Sequence, residues 1–574
     1  MKFRRGMSPS RRQHNGQVPS RSNRMRTFIM LLACFAVSVG FAAAHAADMS
    51  ESMLLLDDHT VARTENLTQH FFSANKRPAN PMIKRTQRWE GVGPYLWGSR
   101  LMQDQATREL RLWYIAYDYA GNFYRWGYAT SRNGLQWTKP DLGFEQVDGK
   151  PAGNCLPLGP HPEKGTRSIA RDPRPDTPAE RRYLGMRFTY DGEFASFSPD
   201  GLTWVESLHN PVWKVPSDII HILWDERRNQ FTAYYKLWEL TGTEISATGE
   251  EKPFLAYMPT FTPTNLPGNK AAFQGPVVRF KKNAPAEVTV EKFVLRAENQ
   301  GKDDGGGVSL SGAWTAKRVQ AWACSDDGIH WRNEQIVLRA DERDPPTSNI
   351  QYLHVIQRGG YYLGFLTMHD ETGVFRIQLT WSADGLKWHR PWREPWLDIG
   401  SEGAFDMGMV LGPVDPILWE REMWFPYGGF PIRHDSTRQD WESAIDLATM
   451  RLDGFASWRA GAESGELVTQ PFQCDGNKLF INADASSGEL RVEVLDEQGT
   501  AIKGFEAGAC RPIQTDTLVE NADGWVRWMG DVNLNALRGR KISLRFIIKN
   551  ADLFSIRMTE RERMNLPVPR ATTK

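Results

Sequence analysis

Cysteine is scarce in this chain, with five in 574 residues and no spacing that resembles a zinc site. An excess of one charge is also missing. Seventy Lys and Arg against 69 Asp and Glu leave a formal +1, which gives no electrostatic footprint for a polyanion, and no nucleic-acid partner is expected. Long apolar runs are lacking as well. The run Phe28 to Ala44 is short for a membrane span, and with Arg24 and Arg26 before it and Ala44-His45-Ala46 after it, it reads as an export signal. Residues 1–46 are therefore expected to be removed, leaving a mature chain from Ala47 that carries no membrane span and is periplasmic or extracellular. Of the remaining cysteines, Cys155, Cys324, Cys474 and Cys510, the last two share one candidate domain, and an oxidising compartment would allow a Cys474–Cys510 disulfide.

Aromatic residues, in contrast, are plentiful, with 22 Trp. Several belong to a repeated heptapeptide, Ser-x-(Asp/Asn)-Gly-x-x-Trp, found at Ser131–Trp137, Ser198–Trp204, Ser325–Trp331 and Ser382–Trp388. A longer, degenerate copy runs from Arg451 to Trp458. The Asp-Gly or Asn-Gly pair supplies the positive φ of a tight hairpin, and the Trp starts the returning strand. A second aromatic run precedes each hairpin, for example Leu110-Arg111-Leu112-Trp113-Tyr114 and Tyr361-Tyr362-Leu363-Gly364-Phe365. The Trp-to-Trp steps are 67, 127, 57 and 70 residues, the scale of a four-stranded propeller blade. Five runs and five hairpins make the long step one blade opened by an insertion at about 239–316, which is either a lid or a disordered loop.

The expected fold class is all-β: a five-bladed β-propeller over 47–462 followed by a C-terminal β-sandwich over 463–560, with a flexible tail at 561–574. Alternating runs such as Leu490–Val494 and Ile542–Phe546 mark the second domain. Residues 53–80 read as a lead-in strand and a loop that latches the propeller, and Asp57-Asp58-His59 within them as a solvated turn, because adjacent strand residues point to opposite faces.

In few-bladed propellers the starts of the innermost strands converge on a central funnel. Polar residues read as preceding each blade's first strand are Glu90 with Trp97, Arg171-Asp172-Pro173, Asp218 with His221, Tyr352 with His354, and Glu402 with Asp406. Paired carboxyls suit cleavage of a glycosidic bond, one protonated at the leaving oxygen and one ionised as nucleophile or base. Crowding acids in a funnel raises at least one pKa.

On these residues the chain resembles the five-bladed propeller glycosidases of the arabinanase, levansucrase and invertase type, including the N-terminal domain of glycosyl hydrolase family 32. The resemblance spans roughly Leu54 to Trp458 and rests on the hairpin count, the repeated Trp pattern and the Arg-Asp-Pro triplet. It implies that Asp172 stabilises an oxocarbenium-like transition state and that Arg171 orients it. The family's Asn-Asp-Pro-Asn-Gly and Glu-Cys-Pro motifs are absent; Trp89-Glu90-Gly91 and Ser217-Asp218 stand in their places, so either the carboxylates have changed identity or the pair is lost. The candidate catalytic residues are thus Asp172, Asp218, Glu90 and Glu402. Substrate contacts are expected from Arg171, Trp97, His221, His354 and Asp406. No cofactor and no catalytic metal are expected, although a structural calcium would agree with the resemblance, and the oligomeric state is open. The expected function is an exported glycoside hydrolase acting on poly- or oligosaccharides; the alternative is a carbohydrate-binding propeller without turnover. The Asp-box of sialidases has a different spacing from the heptapeptide found here.

Overall fold

The computed structural model describes residues 52–560 apart from 78–80, 105, 119–122, 145, 148, 158–166, 190, 216, 246–249, 260–263, 267–269, 297–307, 420, 435, 439, 519–523 and 531. The export signal and the tail lie outside the described residues. Among the described residues the structure is all-β, with short 3-10 turns such as Arg88–Glu90 and no helix long and apolar enough to cross a membrane.

Five sets of antiparallel strands follow one another. The first comprises Pro94–Gln103, Leu110–Asp118, Phe123–Ser131 and Cys155–Leu156, and the second Arg167–Arg171, Tyr183–Thr189, Gly192–Ser198 and Val205–Glu206. The third is built on Ile220–Asp225, Gln230–Ile245, Val308–Ser325 and Arg332–Leu338. Asn349–Arg358, Tyr361–His369 and Phe375–Ser382 form the fourth; Met409–Leu411, Glu422–Phe430 and Ala444–Arg451 form the fifth, with Asn75–Lys76 from the start of the chain as its outer strand. The fourth and fifth sets touch edge to edge at one pair, Phe375 with Met409.

The repeated heptapeptides are the turns that join the third and fourth strand positions. In the first three, the Ser hydroxyl accepts the Gly N–H (2.9 Å at Ser131, 2.8 Å at Ser198, 2.9 Å at Ser325), and the Trp indole donates to the Gly carbonyl. In all four, the Asp or Asn carboxyl or amide oxygen accepts two later N–H groups, as Asp384 does from Leu386 and Lys387 at 2.8 Å each. The glycines hold φ between +70° and +77°, which only glycine adopts without strain.

Each turn docks on the preceding set of strands. A side chain at Gly201 would meet Trp113, one at Gly328 Leu184, and one at Gly385 Tyr234. One at Gly134, in the first set, would meet Ile417 and Trp424 of the fifth. Tyr234 and Trp113 also donate to the Gly385 and Gly201 carbonyls at 2.9 and 2.8 Å. Among the first strands, Pro94–Gln103 packs on Arg167–Arg171, that on Ile220–Asp225, and that on Asn349–Arg358, while Met409–Leu411 returns to Pro94–Gln103.

The insertion is neither a separate loop nor a detached lid where it is described. It grows out of the third set as one long ladder, running from Phe231 paired with Ser325 to Glu244 paired with Leu310, and Glu251–Met258, Lys270–Arg279 and Glu287–Arg296 extend it.

The C-terminal region is built from two further sheets, and here the expected boundaries shift. Ser52–Leu54, Val61–Glu65 and Thr68–Phe71 pair with Ala551–Thr559, Gly465–Thr469 and Ala456–Ala460 respectively. The lead-in segment thus belongs mostly to the C-terminal sheets, and only Asn75–Lys76 latches the fifth set. Trp458, the last Trp of the repeat series, sits on a C-terminal strand; its copy is no hairpin turn of the common type, because Asp453 is buried in an ion pair with Arg358. The Cys474–Cys510 disulfide does not form: both thiols are free and buried, and their sulfurs bond separately to the Gly476 and Arg511 carbonyls.

Candidate functional site

The strand starts opposite the heptapeptide turns surround a cavity of about 440 Å³. Trp97, Tyr117, Tyr124, Trp238, Phe375 and Trp441 wall it, and Asp218, Lys236, Arg318, Gln351 and His434 supply polar groups. Local irregularity aims several of these. The strand Pro94–Gln103 jumps register between Tyr95 and Arg100, with Gly98 at φ +66°, and this bulge turns Trp97 into the cavity. A second register shift, between Ile350 and Tyr352, places Gln351 on the floor. Trp238 comes from the ladder that becomes the insertion, and Pro259 adds the wall beside it.

Asp218 is the carboxylate at this mouth. Its Oδ1 lies 2.7 Å from Lys236 Nζ; the lysine side chain is 5% exposed and the aspartate 45%, so the cation sits behind the carboxylate and the carboxylate faces the cavity. Burial pulls the Lys236 ammonium below its usual pKa, and the Asp218 charge opposes that shift. Arg318 stacks on Trp238 at 4.3 Å and donates from Nη1 to His369 Nδ1 at 2.7 Å, which makes that ring nitrogen the acceptor. Behind Ser217-Asp218 lies Glu193, fully buried, whose Oε1 accepts the Ser217 N–H at 2.7 Å. Burial, opposed by that hydrogen bond and reinforced by the charge of Asp218, pushes the Glu193 carboxyl up to about 8.

His221 and His354 lie side by side, both fully buried, with ring centroids 4.2 Å apart. His221 Nε2 is 3.0 Å from the Val355 carbonyl and Nδ1 3.5 Å from the Tyr352 hydroxyl. Burial, then the nearby Arg100 charge, lowers His221 to about 3, and burial with the neighbouring cationic groups drives His354 far below the ordinary imidazole range. Both are neutral wall residues and do not reach the cavity that holds Asp218, which corrects their expected role as substrate contacts.

The other expected residues are dispersed. Asp172 follows the strand Arg167–Arg171 where it was expected to precede one, so it sits at the turn end. Arg174 binds it in a fork, Nε to Oδ1 at 3.0 Å and Nη2 to Oδ2 at 2.6 Å, and also donates to the Asp326 carbonyl of the third heptapeptide turn. Burial opposes ionisation of Asp172, but the Arg174 hydrogen bonds outweigh it and hold the carboxyl below the usual range. That turn is level with Asp225, seven residues along the chain from Asp218, so the two carboxylates are roughly 20 Å apart. Asp172 is thus a structural anchor, and Arg171, paired with Tyr183 beside it, is equally remote from the cavity.

Glu90 is fully buried. It accepts from Thr86 N, Gln87 N and the Tyr114 hydroxyl (2.7, 2.8 and 2.7 Å) and pairs with Lys139 at 2.5 Å, leaving it no access to a substrate. Glu402 is an exposed residue of the turn before Gly403. Asp406 lines a different cavity of about 750 Å³, where it accepts from Lys76 Nζ at 2.5 Å and from the Tyr427 hydroxyl at 2.9 Å. The structure therefore brings together Asp218 and Trp97 from the expected set. It adds Lys236, Trp238, Arg318, Gln351 and Glu193, for which the sequence offered one usable signal: Lys236 and Trp238 sit where the third set's aromatic strand runs on into the insertion. No group of three or more metal-ligating side chains occurs among the described residues.

No protein-family model and no curated protein matches the sequence. Solved structures similar to the chain include an α-L-arabinofuranosidase from Podospora anserina in complex with cellotriose, at 9% identity over 66% of this chain and 98% of that one, with a TM-score of 0.37. A glycosyl hydrolase from Bacteroides ovatus shares 13% identity over 70% and 97% of the two chains, with a TM-score of 0.35. A fructofuranosidase from Schwanniomyces occidentalis complexed with fructosylnystose shares 10% over 86% and 100%, with a TM-score of 0.32. Likeness at this level leaves the assignment to the geometry of the chain itself.

Proposed function

We propose that the chain is an exported glycoside hydrolase: a five-bladed β-propeller with an accessory β-sandwich that takes a poly- or oligosaccharide into the funnel and presents Asp218 to it. Support for five blades comes from the cyclic docking of the turns, each on the preceding set and the first on the fifth. Support for a sugar comes from the aromatic walls, which stack on the C–H faces of pyranose or furanose rings, with Gln351, Arg318 and Asp218 placed to bond hydroxyls.

The observation that carries hydrolysis is an exposed carboxylate, Asp218, at the mouth of an aromatic-walled cavity with a buried ammonium 2.7 Å behind it. Asp218 faces the cavity, while Glu193 holds its proton up to about 8. Glycosidic cleavage places a carboxylate at the scissile bond, the place Asp218 can take; Glu193 is buried outside the cavity lining and does not meet a substrate. Asp218 is assigned to the reacting centre, and Glu193 to fixing the Ser217-Asp218 segment through the 2.7 Å hydrogen bond.

A second reading, saccharide binding without turnover, is favoured by the dispersal of Glu90, Asp172 and Glu402 away from the funnel. Incubating the purified mature chain with a panel of plant, algal and microbial polysaccharides separates the two. Product release that Asp218→Asn abolishes and Asp172→Ala leaves intact supports hydrolysis. Retention of a polysaccharide with no release, lost on Trp97→Ala, supports binding, and a blank for both removes the funnel from either role.

A further inference from the structure

We propose that the 750 Å³ cavity beside Asn75–Lys76 is a second saccharide site, distinct from the funnel, that takes a neutral sugar unit by its hydroxyls. Its lining shares no residue with the funnel. Three cationic side chains, Lys76, Arg77 and Lys84, line it with three acidic ones, Asp406, Glu442 and Asp446, so the lining carries no net formal charge and suits an uncharged ligand rich in donors and acceptors.

The polar groups are built in. Asp406, Asp446 and Tyr427 are 2%, 4% and 1% exposed although they line an open cavity. Asp406 is seated: Lys76 and Tyr427 hold its Oδ2, and a side chain at Gly400 would come within 2.1 Å of its Oδ1. Asp446 is different. No side chain among the described residues hydrogen-bonds to it; the Leu447 N–H and, more weakly, the charges of Arg77 and Lys76 favour its ionised form. It is buried, yet it lines the cavity with its oxygens unclaimed by any described side chain; burial and the Asp406 charge raise its carboxyl to about 6.

A sugar diol would give Asp446 two hydroxyl donors, and Arg77 and Lys84 would reach the acceptor oxygens. Phe405 on the same wall offers an apolar face to ring C–H groups. An anionic sugar would have to compete with Asp406 for Lys76, so uronates are disfavoured.

Calorimetric titration of the full mature chain tests this, with gluco-, manno-, xylo-, arabino- and fructo-trioses as probes and a galacturonate trimer as the charged control. One or more neutral trioses should bind in a mode that Asp446→Asn weakens at least tenfold and Trp97→Ala leaves unchanged. Ser401→Trp, an exposed substitution at the rim that does not touch the buried groups, should block the same mode and so keeps the test valid if the Asp446 variant is unstable. The proposal is overturned if no neutral triose shows such a mode, if Ser401→Trp leaves all binding intact, or if Trp97→Ala removes every binding event. The funnel assignment is judged by the Trp97 and Asp218 variants, so either site can fail alone.

Discussion

The two ends of the strand array carry opposite kinds of sequence. At the turn end the residues repeat: in all four Ser-x-(Asp/Asn)-Gly turns the Asp or Asn oxygen accepts two later N–H groups, and each turn leans on the neighbouring set of strands. At the mouth end nothing repeats. Trp97 comes from the first set, Asp218 and Arg318 from the third and Gln351 from the fourth, through two register shifts and one insertion ladder. Repetition therefore marks where the same packing problem is solved several times, and its absence marks where side chains line a cavity. Asp172 belongs to the first kind of place and Asp218 to the second, although as isolated residues they look alike.

The sharpest way to break the comparison is to neutralise one carboxylate at each end. Asp218→Asn should lower turnover by about a thousandfold, about 4 kcal/mol of barrier, while thermal unfolding stays close to that of the parent. A substantial rate retained in that variant would move the reacting carboxylate elsewhere.

The next effect is a pH dependence. Glu193 keeps its proton in the fold up to about 8, against 4.5 for the ordinary carboxyl. The unfolded chain releases that proton first, so the group's contribution to stability is complete below 4.5 and is lost as the pH rises through 8, on the order of a few kcal/mol. Denaturant midpoints between pH 5 and 9 should fall for the parent and flatten in Glu193→Gln; equal slopes would mean that the group titrates alike in both states.

Asp172→Ala reverses the first experiment. It strands Arg174 and should cost about 2 kcal/mol of stability, with turnover per folded molecule unchanged. A selective loss of turnover would return Asp172 to the mechanism. Smaller again, Gly201→Ala puts a side chain where φ is +77° and Trp113 lies 2.7 Å away, and should cost about 1–2 kcal/mol. At the mouth, Trp97→Ala should weaken saccharide binding about tenfold, about 1.4 kcal/mol, without moving the unfolding midpoint by much.

Local chemistry made much of the fold legible. The Asp-Gly and Asn-Gly pairs sit at positive φ as turn residues must, alternating and aromatic runs became strands, and the stretch from Glu239 to Ala316 interrupts the third set of strands. Asp218 was legible as a mouth residue because it precedes a strand start. Asp172 was misplaced for the converse reason. Arg-Asp-Pro was read as opening a strand, but Arg167–Arg171 precedes it, and a shift of one strand length carries a residue from one end of the array to the other. The segment from Ser52 to Phe71 was read locally as a latch, yet its partners are some 400 to 500 residues away, a distance over which no local pattern can pick a register.

By itself the sequence determined that the chain would be β throughout, where its tight turns would fall and how often they would recur, because φ preference and side-chain periodicity act over a few residues. Only the tertiary structure decided which carboxylate faces a cavity and which is locked to an arginine. That choice depends on which end of a strand a residue occupies and on which distant strands lie beside it, and the physical reason is that burial and charge pairing are set by neighbours in space.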